Sequence, residues 1–207
     1  MSAKWDRRTA WIICSAIRRL VYDLGRTDFY CVIIGSGDAF DDLQKLKRKL
    51  RIEDYVLFTG IIPFDDLLCY LSTADICVDP DPSSPLNDVS TWIKIMEYMA
   101  LKKPIVTFDL AETRYSAQNA ALYVQPNDEM AFAQAIARPM DDPELRAELG
   151  AYGYRRVKNE LSWQHVSKNL LHAYSALFKT TNAVAAIPNL QRDSEYARSR
   201  VALESDA

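Results

Sequence analysis

The stretch from Ala74 to Asp109, ADICVDPDPSSPLNDVSTWIKIMEYMALKKPIVTFD, constrains the fold more than any other part of the chain. A short apolar run at Ile76–Val78 leads into a loop of Pro, Asp, Ser and Asn. A helical pattern follows from about Thr91 to Leu101, and then a second apolar run from Pro104 to Phe108. Strand, polar loop, helix and strand together make the unit from which parallel sheets are built. Asp88, Ser90 and Thr91 occupy the positions expected of a helix N-cap, and a helix start of this kind offers free N–H groups to an anion. Ile93, Met96 and Ala100 have the spacing of a buried helical face, with Glu97 beside it. On the residues alone Glu97 has two readings. It is either a solvated charge that pairs with Lys94 or Lys102, or a carboxylate that accepts two hydroxyl hydrogen bonds, such as those of a ribose.

Strand-like runs at about residues 29, 55, 76, 104 and 121 alternate with helical patterns along the chain. The first helix is expected over Thr9–Leu24 with Gly25 as its stop, and others over Asp41–Leu50, Phe64–Ser72, Asp128–Ala137 and Asp141 to about Asn159. A last helix begins after Ser162, with Trp163, Val166, Leu170, Leu171, Tyr174 and Leu177 on one face. The alternation predicts a single α/β domain over residues 1–179 with a parallel, doubly wound, Rossmann-like sheet. Residues 180–207 have too few large apolar side chains to offset ordering entropy and are expected to form a disordered tail. Ligands of such sheets bind beyond the carboxyl ends of the strands. Gly35–Asp38, Gly60–Ile62, Asp79–Thr91 and Asp109–Arg114 all follow strands and are candidates for one crevice. Gly35-Ser36-Gly37 lacks the third glycine of a dinucleotide fingerprint, which weakens a nicotinamide-dependent reading.

Composition narrows the classes of partner. Among 207 residues, 49% are hydrophobic and 26% charged, with a net charge of −3. That balance gives no basic footprint for nucleic acid. No apolar run approaches the ~20 residues of a transmembrane helix, and the first ten residues lack the core of a secretory signal. Cys14, Cys31, Cys69 and Cys77 each sit in an apolar segment, so buried reduced thiols and a cytoplasmic location are expected. Two histidines, His165 and His172, supply no zinc spacing, and neither a metal nor a cofactor is expected.

Taken in order, VIIGSGD, YVLFTGIIPFDDLLCYLSTADICVDPDPSSP, KIMEYMALKKPIVTFDLAETR and ALYVQPND resemble the C-terminal, donor-binding half of a GT-B glycosyltransferase of the family 4, or group 1, type. The resemblance runs over about 150 residues, from Thr27 to Phe178. It implies transfer of a sugar from a nucleotide-sugar to an acceptor, with retention of anomeric configuration and without a metal. The family's signature is Glu-x7-Glu, and Glu97 in EYMA matches the second Glu, which implies a ribose-binding role. The first Glu falls on Val89, with Asp88 one position away as a substitute. Ser90–Ile93 matches a glycine-rich turn that meets the diphosphate. The resemblance therefore implies a phosphate site of helix N–H groups, the Ser90 and Thr91 hydroxyls and the Lys94 charge. Gly60 with Ile61 matches the loop flanking the base, and Gly35 with Gly37 the turn beneath the donor.

The resemblance also implies parts that this sequence does not show. They are an N-terminal acceptor domain and a first, central strand of V-G-R-like sequence followed by Lys-Gly. Lys4, Arg7 and Arg8 do not match that pattern. A fragment that depends on an acceptor domain or upstream polypeptide is expected, one that does not transfer sugar alone. The alternative is a non-catalytic nucleotide-binding partner subunit.

Overall fold

The computed structural model describes residues 7–37 and 39–178. Asp38 and the expected tail from residue 180 lie outside the described residues. Five strands are described: β1 (Cys31–Ile34), β2 (Val56–Gly60), β3 (Cys77–Asp79), β4 (Ile105–Phe108) and β5 (Ala121–Val124). The helices are α1 (Arg7–Tyr22), α2 (Phe40–Leu50), α3 (Phe64–Thr73), α4 (Ile93–Ala100), α5 (Ala111–Ala117), α6 (Glu129–Asp141), α7 (Pro143–Arg156) and α8 (Trp163–Phe178). The chain divides into two compact units, Met1–Leu161 and Ser162–Ala207.

In the first unit every strand pair is parallel, but the strands form two sheets: β1 with β2, and β3-β4-β5. Both contribute to one apolar core. Ile33, Val56 and Phe58 from the first sheet share it with Val106, Phe108 and Val124 from the second. Helix α1 covers that core with Ile12, Ile13, Ile17 and Leu20, each fully buried. Burial of such a side chain stabilises by roughly 1.5–3 kcal/mol. Helix α1 packs against α2 on one side and α6 on the other. A second core, of Ile95, Met99, Ile105, Ala117, Ala120 and Ala121, lies on the opposite face of β4. Alternation along β4 directs Ile105 to one core and Val106 to the other.

Aspartate caps set the starts of α6 and α7. Asp128 Oδ1 accepts a hydrogen bond from the Ala131 N–H at 2.8 Å, and Asp142 Oδ1 one from the Leu145 N–H at 2.8 Å. Pro143 opens α7, where its missing N–H has no cost. Helix α1 ends ahead of Gly25, which takes φ 67°. The long helix expected to reach Asn159 gives way to a π-turn at Val157–Leu161.

Two expectations are corrected. The buried face of α4 is Ile95 and Met99, while Ile93 is 63% exposed and Ala100 is exposed. In IKIMEYMA almost every position is apolar, so periodicity alone does not choose a face; contact with β4 and α7 does. Cys69 is exposed and not buried, because α3 buries none of its residues.

The second unit, within its described residues, is α8. Trp163, Val166, Leu170, Leu171, Tyr174 and Leu177 are exposed along it. The Ser162 hydroxyl lies 2.8 Å from His165 Nδ1 ahead of its first turn.

Candidate functional site at the carboxyl ends of the strands

Gly35 directly follows β1 and Gly60 closes β2, and the two glycines meet: the Gly35 N–H donates to the Gly60 carbonyl at 3.0 Å. Gly35 adopts φ 135° and Gly60 φ 70°, conformations open to glycine without steric cost. The Gly37 carbonyl accepts a hydrogen bond from Phe40 N–H as α2 begins, at 3.0 Å. Ile61 follows at 71% exposure. Gly35, Gly37, Gly60 and Ile61 thus all lie at or just past the carboxyl ends of β1 and β2.

The second sheet ends in a cluster of charge. Asp79 closes β3 and is 1% exposed; Asp81 is 8% exposed. Lys94, in the first turn of α4, places its ammonium 2.7 Å from Asp79 Oδ1 and 2.5 Å from Asp81 Oδ2. Thr9 on α1 donates its hydroxyl to Asp81 Oδ1 at 3.1 Å. Burial pushes the Asp79 carboxyl up to about 6, and Lys94 draws it back only in part because Asp81 opposes it. Burial lowers the Lys94 pKa, but the two carboxylates outweigh it, and the net shift is upward. Sequence reasoning placed Asp79 and Asp81 within the candidate Asp79–Thr91 segment without giving either a role, and missed Thr9. The signal available was an Asp-Pro-Asp directly after an apolar run, with a lysine in the next helix.

The expected capping of α4 is not what the structure shows. The helix starts at Ile93, with Trp92 at the N-cap and no side-chain cap bond. A short 3-10 turn at Asn87–Val89 diverts the three expected caps. Asp88 accepts from the Ser83 hydroxyl at 3.1 Å. Ser90 donates to the Leu86 carbonyl at 2.6 Å, and Thr91 to Glu112 at 2.8 Å. The Thr91–Glu112 bond joins the long loop to the Asp109–Arg114 segment. There Arg114 grips Asp109 through two hydrogen bonds of 2.6 Å and holds its carboxyl below the usual range. Val89, where the signature's first glutamate would stand, is 72% exposed.

Glu97 is half-buried and makes no side-chain hydrogen bond or ion pair among the described residues. Both lysines that could pair with it are engaged elsewhere: Lys94 as above, and Lys102 over the Tyr154 ring at 4.8 Å from its centroid. A carboxylate without a partner keeps its acceptor capacity for a ligand's hydroxyl groups. Among the described residues, no three His, Cys, Asp or Glu side chains are placed to hold a metal ion, and no helix is long and apolar enough to cross a membrane.

Parallel strands, crossover helices on both faces, and polar loops at the strands' carboxyl ends define a Rossmann-like α/β domain of the kind found in GT-B proteins. The chain belongs to the glycosyl transferases group 1 family, whose model matches residues 4–142. It is similar to an uncharacterised glycosyltransferase of Methanocaldococcus jannaschii, 26% identical over 160 residues that make up 76% of this chain and 40% of that protein. Its fold resembles that of the sucrose-phosphate synthase from Thermosynechococcus elongatus, with a TM-score of 0.72 at 24% identity over 86% of this chain and 45% of that one. It also resembles the isolated C-terminal domain of a group 1 glycosyl transferase from Francisella tularensis, with a TM-score of 0.63 at 16% identity over 75% and 80% of the two chains. The chain thus spans less than half the length of the M. jannaschii relative.

Proposed function

We propose that this chain is the donor-binding half of a retaining glycosyltransferase that works on a nucleotide-sugar in the cytoplasm, without a metal, together with an acceptor-binding domain or upstream polypeptide. The observation that carries the reading is Glu97, a half-buried and unpaired carboxylate on the helix that follows the longest loop at the strands' carboxyl ends. In this role each Glu97 oxygen accepts a ribose hydroxyl. Gly35 and Gly37 leave room beneath the donor, and Gly60 with Ile61 flanks the base. The backbone from Ser90 to Ile93 faces the diphosphate. The Ser90 and Thr91 hydroxyls would reach it by exchanging their present partners, and Lys94 contributes from within its carboxylate pair. The likeness to an isolated C-terminal domain supports the assignment to the donor half. The chemistry expected is stabilisation of the departing diphosphate by fixed charge and N–H groups.

Asp88 favours a second reading, a nucleotide-binding subunit without transfer activity of its own. Its Oδ2 takes the Ser83 hydroxyl, and its Oδ1 is buried without a partner, so the carboxylate is turned into its own loop. Titration calorimetry with UDP, GDP and ADP tests both readings, followed by an assay for nucleotide release from the matching sugar donor. Binding with turnover once an acceptor domain is added supports the first reading. Binding without turnover under those conditions supports the second, and no binding overturns both.

A further inference from the structure

Helices α1 and α2 both start near the carboxyl ends of strands and finish at the far end of the domain. From Thr9, which reaches Asp81, to Tyr22 in its last turn, α1 runs roughly 20 Å at ~1.5 Å per residue. At that far end Arg18 and Tyr22 of α1, with Lys49, Leu50 and Arg51 at the end of α2, line a cavity of ≈ 260 Å³.

Three cations thus surround one small space, in a chain whose net charge is −3. Among the described residues none of the three is paired with a carboxylate, although cations beside them are. Arg19 lies 3.2 Å from Asp23, and Lys45 3.8 Å from Asp42. Basic residues in a last helical turn ordinarily complement the helix dipole. That accounts for Lys47, Arg48 and Lys49 on α2, but not for Arg18, which reaches the same space from another helix. Nor do the cations cap α2. The Lys47 carbonyl accepts from the Ile52 N–H at 3.2 Å and the Arg48 carbonyl from the Arg51 N–H at 3.1 Å, while the Tyr22 hydroxyl donates to the Arg51 carbonyl at 2.7 Å.

Arg51 adds an independent mark. It takes φ 56° and ψ 46°, the left-handed conformation that glycine adopts without steric cost. An arginine here carries backbone strain and brings a guanidinium to the cavity. The Arg18 guanidinium lies over the Tyr22 ring, 5.5 Å from its centroid.

We propose that this cavity binds the phosphate group of a phosphate monoester, at a site separate from the nucleotide-sugar crevice. Such a group carries a charge of about −1.5 to −2 and three acceptor oxygens, which suits three cations better than the single charge of a carboxylate. The two guanidiniums offer paired N–H donors, and Lys49 a point charge. At ≈ 260 Å³ the cavity is smaller than the ~300–1,000 Å³ pockets of drug-sized ligands, so it takes the phosphate head and leaves the rest of the ligand in solvent. A soluble sugar phosphate and a phosphomonoester lipid share that head. The proposal stands on the far end of the domain and not on nucleotide binding, so either reading can fail without the other.

Titration calorimetry of the full chain with glucose 1-phosphate tests the soluble source. Cosedimentation with phosphatidylcholine vesicles that contain phosphatidic acid tests the lipid source, with phosphatidylglycerol in its place as the phosphodiester control. The variant is Arg18→Gln/Arg51→Gly. Both side chains are exposed, and glycine relieves the strain at position 51, so the variant keeps its fold, which a thermal melt checks. Glu97→Gln serves as the control for the crevice. The proposal expects binding to at least one monoester probe that the double variant weakens roughly tenfold or more and Glu97→Gln leaves unchanged. Binding of glucose 1-phosphate identifies a soluble ligand, and binding of phosphatidic acid vesicles alone a lipid headgroup. Equal binding to both kinds of vesicle, with none to glucose 1-phosphate, overturns the proposal in favour of plain charge attraction. Binding that the double variant leaves intact, or that Glu97→Gln weakens, also overturns it. So does the absence of binding to either probe.

Discussion

The Lys94 ammonium stands between two buried carboxylates, 2.7 Å from Asp79 Oδ1 and 2.5 Å from Asp81 Oδ2. One positive charge serves two negative ones, so the cluster keeps net negative charge inside the domain. Removing the cation leaves both acids uncompensated. Lys94→Met is expected to cost about 3–5 kcal/mol, a large part of a typical ~5–15 kcal/mol total. Urea unfolding measures it, and a loss under about 1 kcal/mol would show that Lys94 is dispensable to the pair.

The same cluster makes stability depend on pH. Asp79 has its carboxyl raised from 3.8 to about 6 in the fold. A raised acid binds its proton more tightly when folded, so its contribution is complete below about pH 4 and is lost as pH rises through about 6. Unfolding free energy measured in that window is expected to fall with rising pH by more in the wild type than in Asp79→Asn. Equal slopes would place the titrating group elsewhere.

Glu97→Gln is expected to leave stability within about 0.5 kcal/mol of wild type, because no partner is lost. Nucleoside diphosphate affinity should fall roughly tenfold to a hundredfold, the worth of hydrogen bonds to a charged acceptor. Calorimetry on the folded variant decides the matter, and unchanged affinity would reject the ribose role.

Helix α7 approaches the end of α4 closely at Gly150. A Cβ there would lie 2.1 Å from the Lys102 carbonyl oxygen, and backbone cannot swing aside as a side chain can. Gly150→Ala is expected to destabilise by about 1–3 kcal/mol or more through overpacking. Gly60→Ala, by contrast, meets nothing within 4 Å and bears only the strain of φ 70°, about 1–2 kcal/mol. Thermal melts of the two variants compare these costs, and a Gly150→Ala melt at the wild-type temperature would show that α7 shifts freely.

Thiol labelling should separate the cysteines. Burial pushes Cys14, Cys31 and Cys77 each up to about 12, whereas Cys69 is exposed. Only a thiolate reacts, so Cys69 is expected to be alkylated first at pH 8 and the other three after unfolding. Mass spectrometry of partly labelled protein tests the order, and early labelling of Cys31 would show that β1 opens readily.

The sequence by itself determined the order and kind of most elements, though not the helix α5 at Ala111–Ala117, which reads only as a segment following a strand. β5 runs over Ala121–Val124 as expected, and α6 and α7 start at their aspartate caps. Strand propensity, cap chemistry and proline geometry act within a few residues, so they are legible in a line of text. The resemblance pointed to Glu97, but the side chain's lack of a partner is a tertiary fact that the sequence does not show. Tertiary structure alone decided that Lys94 stands between Asp79 and Asp81, that Ile95 and Met99 face the core, that Cys69 lies open, and that β1-β2 and β3-β4-β5 form separate sheets. Each depends on groups distant in the chain, as Thr9 and Asp81 are, 72 positions apart. The energy of a buried charge or an unpaired strand edge is set by whichever neighbours the whole fold brings to it, and no local pattern encodes that.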